Sequence, residues 1–222
     1  MKRRWRGAAR CGIGAAGLAL AACAQLSDPR FPDADDPLVS EQIDRGAIPS
    51  AFSVCHGYGC QWRTAVGLRA AEWRAILDLF ERPAANAAEE RARVGTAVAM
   101  VERSVGAQIG TSADAPRTPI VFNDPTQLDC VDEAIDTSTT LNLLYHGGLL
   151  HWHVPGEPVH RGMSITLNIH YTAVLVENGT KAKYAVDSWF FANGVPPAVL
   201  PLEVWLHGWH PGDPIVTRTA AR

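Results

Sequence analysis

The dipeptide Asn178-Gly179, set between two alternating apolar runs, is the feature that most constrains how this chain can fold. Asn-Gly at such a place favours a two-residue hairpin turn, because both residues tolerate the positive φ that the turn needs. The sequence therefore predicts an antiparallel hairpin with strands over 165–177 and 181–191.

A hairpin turn also predicts which residues face each other. With Asn178 and Gly179 in the turn, His170 and Asp187 are equidistant from it and lie directly opposite, at a non-hydrogen-bonded position. Opposed Cβ atoms are there roughly 4.5–5.5 Å apart, within range of an imidazole–carboxylate hydrogen bond. We predict this pair on one face of the hairpin; a purely structural histidine–carboxylate pair is the alternative.

The N-terminus is typical of an export signal. A basic head, Met1 to Arg6, precedes a Gly/Ala/Leu-rich stretch from Cys11 to Ala22 that is too short to span a bilayer. The next residues, Leu20-Ala21-Ala22-Cys23, resemble the lipobox of bacterial lipoproteins. The resemblance implies loss of the signal peptide 1–22, acylation of Cys23 (palmitate included) and anchoring on the periplasmic face of the outer membrane. An uncleaved or ordinarily cleaved signal is the alternative.

Composition divides the rest of the chain in two. Residues 23–50 are rich in Pro and Asp and predict a solvated tether, and residues 51–222 suit a single domain. The full chain has 20 Lys and Arg and 23 Asp and Glu; residues 1–22 hold five of the basic residues and no acidic one, which leaves a formal charge of −8. Without a basic tract, nucleic acid is excluded as an expected partner.

Three helices are predicted before the hairpin. An apolar stripe marks residues 70–81, and a second helix starts near Asn86, with Glu89 as its capping partner, and runs to about Gly106. A third helix begins at Cys130 with Asp129 as N-cap. The predicted fold class is α+β, with N-terminal helices packed on an antiparallel sheet.

Cys130 differs from the other cysteines because no pairing partner or lipidation site is predicted for it. Two glycines lie between Cys55 and Cys60, so that loop can close a disulfide in an oxidising compartment. Cys130 is then an unpaired thiol, either a small buried apolar residue or a reactive group. The positive end of the helix dipole at a first turn favours thiolate, and a cysteine hydrolase needs that thiolate, a histidine and a group that orients the histidine.

The residues Cys130, His170 and Asp187 supply these three parts, as nucleophile, general base and orienting carboxylate. The backbone amide of Cys130 is a candidate oxyanion donor, and Gln127 is a candidate second donor. The segments around them, His170-Tyr171-Thr172 and Ala185-Val186-Asp187-Ser188-Trp189, resemble the transglutaminase-like cysteine proteinases, in particular their bacterial periplasmic branch. The resemblance implies a papain-like α+β fold and hydrolysis of peptide or amide bonds. The stretch 127–209 also resembles uncharacterised proteobacterial lipoproteins.

Histidines between the third helix and the hairpin offer a competing interpretation. His146, His151, His153 and His160 could serve a metal-binding envelope protein, but they lack the ligand spacing of a zinc signature. We therefore predict no metal site and no cofactor. The expected function is that of a lipid-anchored envelope cysteine hydrolase with a peptide or protein substrate; the alternative is a non-catalytic transglutaminase-like lipoprotein that binds an envelope or peptide partner.

Overall fold

The computed structural model describes residues 37–118, 123–162 and 169–217. The predicted signal peptide, Cys23, the first part of the tether and residues 165–168 of the predicted strand lie outside this part of the chain. Within it the protein is α+β, and its sheets are antiparallel.

The described strands form two sheets. The smaller sheet pairs β1 (Phe52–His56) with β2 (Trp62–Val66). The larger sheet has the order β3-β4-β5-β6, with strands at His153–Arg161, His170–Glu177, Lys183–Asp187 and Ala198–Pro201. The helices are α1 (Pro37–Ser40), α2 (Ala70–Leu79), α3 (Ala87–Ile109), α4 (Cys130–His146) and α5 (Leu202–Leu206).

The helix starts follow the capping residues in the sequence. Asn86 Oδ1 accepts from the Glu89 amide at 2.9 Å, which begins α3 as predicted. The helix continues past Gly106 to Ile109 and ends at Gly110, whose φ of 87° is the left-handed conformation that suits a glycine cap. Asp129 caps α4, again as predicted.

Both faces of the larger sheet are covered. Leu141 and Leu144 of α4 are fully buried in one core cluster with Ala173 and Leu175 of β4. On the other face, Val174 packs in a second cluster that includes Trp205 of α5. Successive residues of β4 therefore alternate between a face on α4 and a face on α5.

The segment before the first sheet packs on the domain, in contrast to the predicted tether over 23–50. Val39, Ile43 and Ala47 are buried, with 3%, 6% and 2% of their surface exposed. These apolar residues recur every four positions and lie against the domain, whereas the prolines and acidic residues suggested a solvated segment. Within the described part, these three residues of the segment 37–50 therefore pack against the domain.

The hairpin of β4 and β5 forms, but its register differs from the prediction. Ala173 pairs with Val186 and Leu175 with Tyr184, a register that places Asp187 opposite Thr172, two residues from His170. The loop has four residues, since the Glu177 amide donates to the Ala182 carbonyl at 2.8 Å. A shift of two residues keeps every side chain on its face, so His170 and Asp187 stay on the same face as diagonal neighbours.

Candidate active site

His170 and Asp187 are hydrogen-bonded. Nε2 of His170 lies 2.7 Å from Oδ2 of Asp187, and both side chains are buried. A carboxylate accepts hydrogen bonds, so Nε2 donates to Asp187, and in the neutral imidazole Nδ1 then carries the lone pair. Nδ1 is buried and has no hydrogen-bond partner among the described residues. The imidazole thus has one nitrogen held by Asp187 and one nitrogen available as a base.

Aromatic rings enclose this pair. The ring centroids of Trp189, Phe190 and Trp205 lie 4.7, 5.1 and 5.4 Å from that of His170. The indole N–H of Trp205, a residue with no exposed surface, donates to Oδ2 of Asp187 at 2.6 Å. Exclusion of water strengthens the imidazole–carboxylate hydrogen bond, and the indole fixes the carboxylate from a second direction.

Arg161 places a cation beside the pair. It lies directly opposite His170 in the register of β3 and β4, and its guanidinium is 4.5 Å from the centroid of the Trp205 ring. The guanidinium also donates to the Trp205 carbonyl oxygen. Burial lowers the pKa of Arg161, and the negative charge of Asp187 acts in the opposite direction.

The thiol of Cys130 reaches β4 at the backbone that flanks His170. Its Sγ lies 3.8 Å from the carbonyl oxygen of Ile169, and the amide of Tyr171 also hydrogen-bonds the sulfur. Ile169 and Tyr171 pack with Cys130 in one apolar cluster. Because side chains alternate along a strand, the imidazole of His170 leaves β4 on the side of Trp205 instead.

No hydrogen bond joins the thiol to the imidazole, since Nε2 is held by Asp187 and Nδ1 has no partner within the described residues. The structure therefore brings His170 and Asp187 together, and it brings Cys130 to the backbone of His170. The expected contact between the thiol and the imidazole is not formed in this conformation.

The thiol is also protonated, in contrast to the expected thiolate. Burial, followed by the negative charge of Asp129, raises the pKa of Cys130 to about 12. The Tyr171 amide and the start of α4 act in the opposite direction, but desolvation of a charged sulfur outweighs them. The N-cap that starts the helix is thus itself a reason why the dipole does not ionise the thiol.

The side-chain amide of Gln127 is hydrogen-bonded to residues of the segment that precedes α4. Its Oε1 accepts from the Ala115 amide at 3.2 Å and from the Thr118 hydroxyl at 3.1 Å. Its amide nitrogen donates to the carbonyls of Ala113 and Thr126. These contacts hold the segment that leads into α4, and they occupy both ends of the amide that was considered for the oxyanion.

The histidines between α4 and the hairpin differ in their burial and in their hydrogen bonds. His153 is fully buried, with Nδ1 2.9 Å from Oε1 of Glu90 and Nε2 3.1 Å from a guanidinium nitrogen of Arg91. Since Arg91 only donates, Nε2 accepts and Nδ1 donates to Glu90. His146 and His151 are exposed. Within the described ranges, no group of three or more His, Cys, Asp or Glu side chains is placed to hold a metal ion.

A buried acidic cavity next to α4 was not anticipated from the sequence. Three carboxyl groups, of Glu102, Glu133 and Asp136, line it together with Asn193 and several apolar and threonine side chains. Burial raises the pKa of Glu102 to about 7 and those of Glu133 and Asp136 well above their ordinary values. The residues come from different elements, so only the assembled fold reveals their proximity.

The comparisons with known proteins identify no relative. The chain matches no family model, no curated protein and no solved structure. In the part of the chain that the structure describes, no helix combines the length and apolar character needed to cross a membrane.

Proposed function

We propose that this chain is a lipid-anchored envelope cysteine hydrolase of peptide or amide bonds, with a transglutaminase-like domain. One observation carries the proposal: His170 has Nε2 hydrogen-bonded to Asp187 and a buried Nδ1 that has no hydrogen-bond partner among residues 37–118, 123–162 and 169–217. A histidine oriented by a carboxylate through one nitrogen presents the other as a general base. Cys130, at the start of α4, is the thiol that contacts the backbone on both sides of this histidine.

In the proposed reaction, the imidazole creates the nucleophile. Because the pKa of Cys130 is raised to about 12, the thiol carries its proton at rest. The thiol and the imidazole leave opposite sides of β4, so the reaction first requires a rearrangement at the start of β4 that frees the sulfur from the Ile169 carbonyl and brings it to Nδ1 of His170. Nδ1 then takes the proton as Sγ attacks the substrate carbonyl carbon, and the Cys130 amide donates to the oxyanion.

Collapse of the tetrahedral intermediate expels the amine, which receives the proton from the imidazolium of His170 and leaves a thioester on Cys130. A water molecule, deprotonated by the imidazole, attacks that thioester and releases the acid. Asp187 stabilises the imidazolium through the 2.7 Å hydrogen bond during both half-reactions. The proton returns to the thiol at the end of the cycle.

A second candidate function is a non-catalytic transglutaminase-like lipoprotein that binds an envelope or peptide partner. The raised pKa of Cys130 and the thiol's hydrogen bond to the Ile169 carbonyl favour it, because both describe an inert thiol. Under this proposal the aromatic residues around His170 hold a structural histidine, and the domain binds its partner without cleaving it.

Turnover of an envelope-peptide panel by the purified domain separates the two proposals. The hydrolase loses turnover in Cys130→Ala and in His170→Gln and retains it in His160→Gln. His160 is a matched control, since its Nδ1 is also buried and without a partner among the described residues. Peptides that bind equally to the wild type and Cys130→Ala, with no product from either, would establish the binding protein.

Anchoring is a separate part of the proposal and has its own test. Cys23 lies outside the described residues, and its lipidation rests on the resemblance of residues 20–23 to a lipobox. We expect labelled palmitate to be incorporated into the wild type but not into Cys23→Ser, and the wild type to fractionate with the outer membrane. Labelling that persists in Cys23→Ser would contradict the anchor.

A further inference from the structure

The loop closed by the disulfide Cys55–Cys60 is tied to the start of α4 through its backbone amides. The Tyr58 and Cys60 amides donate to the two carboxyl oxygens of Asp132 at 2.8 and 2.6 Å. The Gly59 amide donates to Oδ2 of Asp129 at 3.0 Å. The loop thus encloses the carboxyl groups of the first turn of α4, the turn that begins with Cys130.

Two further amides extend this connection in both directions. The Gly57 amide donates to the Gln127 carbonyl at 3.0 Å, before the helix, and the Cys55 amide donates to Oδ1 of Asp136 at 2.8 Å, one turn further into it. Asp132 itself has no exposed surface. The loop therefore contacts the helix from the residues that precede it to its second turn.

The conformation of the loop explains why so many amides converge. Gly57, Tyr58, Gly59 and Cys60 all have positive φ, between 58° and 82°. Successive residues of this kind turn their N–H groups toward one side, and such a concave surface binds anions. For Tyr58 and Cys60, which carry a Cβ atom, the left-handed conformation is unfavourable, so it persists only where the surroundings impose it. Here the disulfide and the carboxyl groups impose it together.

The same loop contacts the proposed nucleophile. Cys55 and Cys60 pack in one apolar cluster with Cys130, Ile135 and Tyr171. The disulfide thus lies against the thiol side of α4, while its loop holds the polar end of the helix.

We propose that the Cys55–Cys60 disulfide is the positioning element of Cys130, and that the placement of this residue depends on the oxidation state of the loop. Reduction by a dithiol transfers two electrons and two protons to the disulfide, yields two free thiols and oxidises the dithiol. The left-handed residues then lose the covalent constraint, the amides withdraw from Asp132, and the first turn of α4 opens. The catalytic consequence rests on the proposed function, whereas the structural consequence does not.

Amide hydrogen exchange measures the structural consequence without any substrate. The oxidised chain is compared with the chain reduced by a dithiol and with the double variant Cys55→Ser/Cys60→Ser. Exchange across residues 130–134 accelerates at least tenfold in both, while exchange in the middle of α3 stays unchanged. Unchanged exchange across 130–134 after complete reduction would overturn the proposal. Equal acceleration in α3 would overturn it as well, since the disulfide would then stabilise the whole domain and not one helix end.

A variant that keeps the disulfide tests the same connection. Asp132→Asn replaces one accepting carboxyl oxygen by an NH₂ group, which cannot accept from the loop amides. We expect it to accelerate amide hydrogen exchange across residues 130–134 in the oxidised chain. Asp124→Asn is the matched control: Asp124 also accepts from a backbone amide and a hydroxyl, both of Thr126, in the loop before α4. Asp132→Asn with the exchange of the wild type would contradict the positioning role.

Turnover measured on the same samples separates this inference from the proposed function. If hydrogen exchange accelerates as expected but no sample shows turnover, the positioning role of the disulfide is supported and the hydrolase is contradicted. If the oxidised and reduced chains show equal turnover and equal hydrogen exchange, the hydrolase is supported and the positioning role of the disulfide is contradicted.

Discussion

Trp205 donates its indole N–H to the same oxygen of Asp187 that contacts the imidazole of His170. The two donors approach Oδ2 at 2.6 and 2.7 Å, so the orientation of the carboxyl group is determined by α5 as well as by the sheet. A short helix near the C-terminal end of the described residues is thereby linked to the two candidate catalytic side chains.

The first prediction compares two tryptophans beside the same histidine. Trp205→Phe keeps an aromatic ring and removes the hydrogen bond to a carboxylate, and it should lower the free energy of unfolding by about 1.5–3 kcal/mol. Trp189→Phe should cost less, because the Trp189 N–H is buried and has no hydrogen-bond partner among the described residues. Denaturant unfolding of both variants tests this, and equal losses would contradict it.

The second prediction concerns thiol reactivity. With the pKa of Cys130 at about 12, the rate of its alkylation should keep rising as the pH is raised from 7 to 10. The measurement is the rate of iodoacetamide labelling at Cys130, located by mass spectrometry. A rate that levels off near neutral pH would show a thiolate and contradict the raised pKa.

The third prediction concerns pH and stability. Burial raises the pKa of Asp114 to about 7, so in the folded protein this group holds a proton that the unfolded chain releases near pH 4. The contribution of Asp114 to the free energy of unfolding is therefore greatest below the unfolded pKa and falls as the pH rises toward 7, with a slope of about 1.4 kcal/mol per pH unit. Asp114→Asn should reduce this slope between pH 4.5 and 7, measured by urea unfolding. An unchanged slope would exclude a shifted pKa at this position.

The fourth prediction uses two glycines of the disulfide loop with similar backbones. Gly57 and Gly59 have φ of 82° and 65°, and alanine at either position meets the cost of a left-handed conformation, about 1 kcal/mol. At Gly57 a Cβ would also come within 2.0 Å of the Trp62 ring, whereas at Gly59 nothing lies within 4 Å. Gly57→Ala should therefore lower the melting temperature more than Gly59→Ala, and the reverse order would contradict the loop geometry.

The fifth prediction tests the buried pair of Glu90 and His153. Glu90 accepts from the His151 and Trp152 amides and from Nδ1 of His153. Glu90→Ala leaves these donors buried and unpaired, and should cost about 3–5 kcal/mol. Glu89→Ala, on the adjacent residue, removes a surface ion pair with Arg93 and a hydrogen bond that Glu89 accepts from the Ala85 amide, and should cost much less. Similar losses for the two variants would contradict a structural role for the pair.

The parts of the fold that could be predicted from sequence are those determined by near neighbours. Asn86 and Asp129 begin α3 and α4 because a cap acts within a single turn, and the glycines between Cys55 and Cys60 allow a local disulfide. The burial of Val39 and Ile43 could not be predicted in this way, because it depends on a surface formed by distant residues.

The hairpin register shows where local reasoning was insufficient. The Asn178 amide donates to the Trp152 carbonyl at 2.8 Å, and its side chain donates to the His151 carbonyl at 3.0 Å. These tertiary contacts favour a four-residue loop, in which Lys181 takes the positive φ of 61° in place of Asn178 and Gly179. A contact between residues 27 positions apart cannot be read from the turn itself. The burial that keeps Cys130 protonated has the same origin, since Cys55, Ile169 and Tyr171, from other segments, lie in the apolar cluster that contains it.

The four-residue loop between β4 and β5 also suggests which insertions and deletions the hairpin can accept. Residues added between Asn178 and Lys181 lengthen the loop and leave the paired strands unchanged, so His170 and Asp187 keep their places. A single residue inserted into β5 before Asp187 would instead turn this carboxyl group toward α4, and would require a bulge to restore the pair. Length variation should therefore be confined to the loop wherever the imidazole–carboxylate hydrogen bond is kept.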